Sequence, residues 1–79
     1  MRLDKFLKVS RLIKRRTVAN KVCASEKIYI NDKIAKPSAT VNLNDIITIK
    51  INEKTIKVKV INILNISTKE SAKKMYEIV

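Results

Sequence analysis

The stretch from Ile47 to Val60 leaves a chain of this kind few ways to fold. Ile47, Ile49 and Ile51 alternate with Thr48 and Lys50. After Asn52-Glu53-Lys54 the alternation returns as Ile56, Val58 and Val60 around Lys57 and Lys59. Successive side chains of a strand point to opposite faces, so this pattern predicts a hairpin with one buried face and one wet, basic face. The buried face must be covered by other elements.

The cover is written upstream. Leu3, Phe6, Leu7, Ser10 and Ile13 share one face of an amphipathic helix over 2–13, with Asp4, Lys5, Lys8 and Arg11 on the other side. A second helix is expected from about 17 to 25, with Thr17 as its N-cap and Val18, Ala19, Val22 and Cys23 as its apolar stripe. Helices this short need each other, or a sheet, to be stable. Ile28-Tyr29-Ile30 and Lys33-Ile34 read as strands around an Asn31-Asp32 turn. Lys36-Pro37-Ser38 breaks the run as a loop, and Asn42 to Asp45 forms another turn. Ser67 and Glu70 fit a capping box that opens a short final helix through Tyr76. The expectation is an α+β fold: two N-terminal helices on a small antiparallel sheet, with a short C-terminal helix. It is read as one domain, 1–79, with a core motif over about 2–50 and a C-terminal hairpin and short helix over about 51–79.

Composition removes most catalytic chemistry. The 79 residues include no histidine, so His general bases, His-dependent triads and zinc sites of ordinary spacing are excluded. They include no glycine, so there is no phosphate-binding Gly loop and no dinucleotide fingerprint. The single cysteine, Cys23, has no internal disulfide partner and reads as a small buried hydrophobe. The acids are scattered as turn and surface residues are. The chain is therefore expected not to be an enzyme and to need no cofactor or metal. No apolar run approaches the roughly 20 residues of a membrane span. The start, with charges among its apolar residues, does not read as a secretory signal. A cytoplasmic location is expected.

Charge supplies the positive clue. Eighteen Lys and Arg face seven Asp and Glu, a formal net charge of +11. Such a balance attracts polyanions. Residues 1–21 hold eight of the basic residues against Asp4 alone, and all four arginines lie in the first 16 positions. Arginine suits phosphate because its planar fork makes two parallel hydrogen bonds. Lys14, Arg15 and Arg16 stand immediately before a helix start, where the dipole disfavours cations and free backbone N–H groups favour an anion. A bound phosphate satisfies both; the plainer reading is a solvated basic turn. Phe6 lies on the apolar face and reads as core, while Tyr29 offers a single stacking platform. Scarce aromatics favour recognition of nucleic acid by backbone and shape. Asp4 is expected to pair with Arg16 or Arg11 and orient the guanidinium. A basic amphipathic helix can also lie on an anionic membrane, but here the apolar face is short, lacks Trp, and is needed by the sheet.

The order of the pieces resembles the S4-type RNA-binding domain family. Arg2-Leu3-Asp4-Lys5-Phe6-Leu7 is followed by Arg15-Arg16-Thr17-Val18-Ala19, then Ile28 to Lys33, then Lys36-Pro37-Ser38, then Asp45 before a strand. The stretches 1–17 and 69–76 are similar to the small stand-alone members of bacterial ribosome-associated quality control. The resemblance implies the alpha-L fold and a structured-RNA site formed by Arg2, Lys5, Lys8, Arg11, Lys14, Arg15, Arg16 and Thr17, with Lys33 and Lys36 secondary and Asp4 as the orienting ion pair. It implies a non-catalytic monomer in the cytoplasm that binds the 50S ribosomal subunit carrying a stalled nascent chain. Its contacts there would be large-subunit rRNA and tRNA, and its functional partner RqcH, which adds alanines to the stalled chain. The related heat-shock member of the fold, which also recognises large subunits with stranded tRNA but in a rescue pathway without tailing, is the alternative; a membrane-surface module is the alternative of another class. The chain departs from the family pattern where glycine is usual: Glu26 follows the second helix and Asp32 sits in the hairpin turn.

Overall fold

The computed structural model describes all residues, 1–79. Helices α1 (Leu3–Val9) and α2 (Arg16–Ala24) precede strands β1 (Ile28–Ile30), β2 (Lys33–Ile34), β3 (Ile46–Ile51) and β4 (Lys54–Val60). A short helix α3 (Lys69–Lys73) and a strand β5 (Tyr76–Ile78) complete the chain. The strands form one antiparallel sheet in the order β2-β1-β3-β4-β5. No helix is long and apolar enough to cross a membrane.

The expected hairpin forms, with Ile47 opposite Val58 and Ile49 opposite Ile56. Its inner face gives Ile47, Ile49, Val58 and Val60 to the core, where they meet Leu3, Phe6 and Leu7 of α1 and Ala19 and Cys23 of α2. Each large side chain so buried contributes about 1.5–3 kcal/mol. Ile51 and Ile56 stay partly exposed near the hairpin end, and Thr48, expected on the wet face, is buried.

The first helix is shorter than its apolar pattern. It stops at Val9, and Arg11 takes a left-handed φ of 62°. That turn returns Ile13 to the core, so the whole predicted face, Ser10 and Ile13 included, is buried although the helix is not continuous. In α2 the N-cap is Arg15, which has no side-chain capping bond; Thr17 lies inside the first turn and does not cap. Val18 of the predicted stripe is exposed.

Without glycine, other residues take the left-handed positions. Asn31 and Asp32 have φ of 51° and 68° and close the β1–β2 turn. Glu26 follows α2 at φ 61°. Asn44 and Asn52 complete the set at 72° and 55°. Asparagine and aspartate tolerate this region better than other residues with a side chain.

The C-terminal segment differs most from expectation. The capping box of α3 is Thr68 with Ser71, one residue beyond the Ser67–Glu70 pair. Ser67 is occupied elsewhere, because its hydroxyl donates to the Val9 carbonyl at the end of α1. Nor does the helix run through Tyr76: Met75 is fully buried, and Tyr76 enters β5 opposite Val60.

Candidate nucleic-acid interface

The candidate interface is built around the one acid of the basic segment. Asp4 lies in the first turn of α1, with its side chain 3% exposed. Its carboxylate accepts from Arg2 Nε at 3.2 Å and Arg2 Nη2 at 3.1 Å, and from the Lys5 backbone N–H at 2.8 Å. From α2, Arg16 Nη2 and Asn20 Nδ2 each donate at 3.4 Å. Burial alone would raise the carboxyl pKa. The hydrogen bonds from Arg2, Asn20 and Lys5 and the charge of Arg16 outweigh it and hold the group below the usual carboxylate value.

This arrangement aims two guanidinium groups. Arg2 and Arg16 lie fourteen positions apart in the chain, yet both touch one carboxylate while their own side chains stay about half exposed, at 52% and 50%. The two ion pairs in the molecule are both made by Asp4, so the other cations are free of carboxylates. Of the two expected partners, Arg16 pairs with Asp4. Arg11 does not: it donates to the Ser67 carbonyl at 3.1 Å. The pairing with Arg2, and the part of Asn20, are additions. Their signal was present in sequence: Arg16 and Asn20 are one helical turn apart and share a face.

Basic side chains then surround the segment before α3. Lys5, Lys8, Arg11 and Arg16 line one hollow together with Asn65 and Ile66. Lys5 Nζ donates to Asn65 Oδ1 at 3.4 Å. Lys8, Arg11, Lys14 and Lys69 line the next hollow. Lys69 was not foreseen, although it stands in the first turn of α3, where the dipole disfavours a cation just as it does before α2. Arg15 is exposed at the uncapped start of α2, and Thr17 is exposed one residue past Arg16.

Lys33 and Lys36 belong to a different hollow, which they line with Ser38 and Thr40. The loop carrying Lys36 is nevertheless tied to the start of α1, since the Asp4 N–H donates to Pro37 O at 3.1 Å and the Leu3 N–H to Ala39 O at 2.8 Å. Lys36 thus extends the Arg2 end of the basic surface, and Lys33 stands apart on β2. Phe6 and Cys23 are core residues. Burial, and the nearby Asp4 charge, push the Cys23 thiol up to about 11.

Comparison with known proteins gives a consistent picture. The S4 domain family matches residues 1–47. An RQC P-site tRNA stabilizing factor of Halalkalibacterium halodurans is 45% identical over 78 residues, covering 99% of this chain and 89% of the relative. One of Streptococcus pneumoniae is 47% identical over 79 residues, covering 100% of this chain and 90% of the relative. Among solved structures, the trimeric heat shock protein 15 of Vibrio cholerae superposes with a TM-score of 0.92 at 26% identity, covering 100% of this chain and 81% of that one.

Proposed function

This chain belongs to the S4 domain family, and from that premise we propose that it is a non-catalytic RNA-binding factor of ribosome-associated quality control that stabilises tRNA in the P site. The observation that carries the RNA-binding part is the pair of half-exposed guanidinium groups held by Asp4 beside Lys5, Lys8, Arg11 and Lys14. Such a surface grips a folded sugar-phosphate framework, with the arginines making paired hydrogen bonds to phosphate and the lysines acting as point charges. The names carried by relatives about 45% identical over nearly the whole chain support the pathway.

In finer detail, the proposed target is the 50S subunit carrying a stranded peptidyl-tRNA. The factor touches large-subunit rRNA and tRNA there and supports RqcH in alanine tailing. It acts as a monomer in the cytoplasm, associated with ribosomes. Tagged full-length protein tests this: large subunits, RqcH and alanine-tailed chains should co-purify, and R2A/R16A should lose the subunits. Subunit association unchanged in that variant would remove the site.

A second reading has its own support, the close superposition on a heat shock protein of the same fold. It has the factor bind free large subunits with stranded tRNA without tailing. Subunits recovered with tRNA but without RqcH or alanine tails would favour it.

A further inference from the structure

The sheet has a second face, turned away from α1 and α2, that the helical site leaves unused. Tyr29, Thr48 and Lys57 lie directly across from one another on β1, β3 and β4, with Lys50 opposite Thr55 on the same face. Together with Asp32 they line a hollow of about 220 Å³. Thr48 is only 4% exposed, and its hydroxyl has no hydrogen-bond partner. Buried hydroxyls are ordinarily paired, and a valine would fill the same space without leaving a polar atom unsatisfied. The Lys50 ammonium stands 4.8 Å from the centre of the Tyr29 ring. Neither Lys50 nor Lys57 has a carboxylate within ion-pair distance.

We propose that this face is a second RNA-binding site, which takes a single-stranded segment while the helical face holds folded RNA. A phosphate oxygen entering the hollow accepts from the Thr48 hydroxyl and lies between two ammonium groups. The Tyr29 ring offers its surface to a ribose or an unstacked base, which only an unpaired segment can present. Asp32 is an acceptor, repelling a bare phosphate but suited to a ribose 2′-hydroxyl or a base amine. The mixture of donor, cations, ring and acceptor fits a ribonucleotide better than a lipid headgroup or free phosphate. The inference rests on the RNA-binding reading but uses none of the residues that carry it.

The test is a titration of ¹⁵N-labelled full-length protein with hexauridylate, followed by NMR, with inorganic phosphate and anionic vesicles as separate arms. The RNA should shift the amides of Tyr29, Thr48, Lys50 and Lys57 as well as those around Arg2 and Arg16. K50Q/K57Q should abolish the first set and keep the second, and should lower the salt slope of binding to this face by about one unit, since each phosphate contact on a single strand contributes roughly 0.7. The substituted side chains are exposed, and unchanged shifts of core amides confirm folding. Shifts confined to the helical set overturn the second site and leave the first. Sheet shifts that survive K50Q/K57Q, or that phosphate or vesicles reproduce, overturn it equally. Absence of both sets overturns the sheet site together with the RNA-binding reading.

Discussion

Arg16 Nη2 on α2 donates to Asp4 Oδ1 on α1 at 3.4 Å, and through that carboxylate Arg16 is held beside Arg2. The carboxylate therefore does two things at once. It joins the two helices, and it fixes the direction of two groups that remain free to meet solvent on their outer sides.

That dual role separates Asp4 from ordinary electrostatics. Asp4→Asn raises the net charge, so charge alone would tighten RNA binding. If orientation of Arg2 and Arg16 matters more, the variant binds several-fold more weakly. Fluorescence anisotropy with a structured RNA at fixed salt decides the sign. The variant should also lose about 1–3 kcal/mol of stability, as for a charged hydrogen-bonded group deprived of its partners.

The same group sets an acid limit. Its folded pKa lies below that of the unfolded chain, so its ionised form stabilises the native state. This stabilisation is fully present above the unfolded value of about 3.9 and is lost as pH falls through the folded value. Urea unfolding should show a midpoint that declines below about pH 4. In Asp4→Asn that decline should be shallower. Parallel profiles would mean that another carboxylate carries the acid dependence.

The fold was legible where the side-chain period was clean. The Ile47–Val60 hairpin and the buried face from Leu3 to Ile13 follow from periodicity, because burial selects one face whatever the local backbone does. Helix boundaries were not legible. Nothing local announces that Arg11 will take a left-handed turn, and the gain is Ile13 returning to the core. The Ser67 cap failed because a distant carbonyl, that of Val9, claims the hydroxyl. Strand β5 went unseen because three residues are too few for alternation to speak; its partner, β4, decides it. In the candidate site, charge density located the surface, but the link from Asp4 to Arg2 depends on how two helices meet.

Glu26 offers a stabilising substitution. It is exposed and holds φ at 61°, a region in which a side chain costs roughly 1–2 kcal/mol. Glu26→Gly removes that cost and should raise stability by about 1 kcal/mol, after allowing for the freer unfolded chain. A domain of this size should then gain roughly 4–8 °C in melting temperature. A lower melting temperature would mean that the Glu26 side chain makes a favourable contribution larger than its backbone strain.

Cys23 should report on packing. It is 2% exposed, and burial raises its pKa to about 11, so almost no thiolate exists at pH 8. Iodoacetamide should label it slowly in the native protein and fully in denaturant, with native labelling following the unfolding equilibrium. Rapid native labelling would show that α2 opens locally from the sheet.

The two parts of the basic surface should respond differently to substitution. Arg16 belongs to the Asp4-centred cluster, whereas Lys36 reaches the Arg2 end only through the loop tied to α1 at Pro37 and Ala39. Each lost phosphate contact lowers the salt slope of binding by roughly one unit. Arg16→Ala should do so and weaken binding further, because a paired guanidinium contact is removed and Asp4 loses a donor. Lys36→Gln should weaken binding less, and Lys33→Gln least, since β2 carries Lys33 away from the helical hollows. Anisotropy titrations at several salt concentrations give both quantities for each variant. An equal effect of Lys33→Gln and Arg16→Ala would spread the interface over the whole positive surface and deny the Asp4 cluster its leading part.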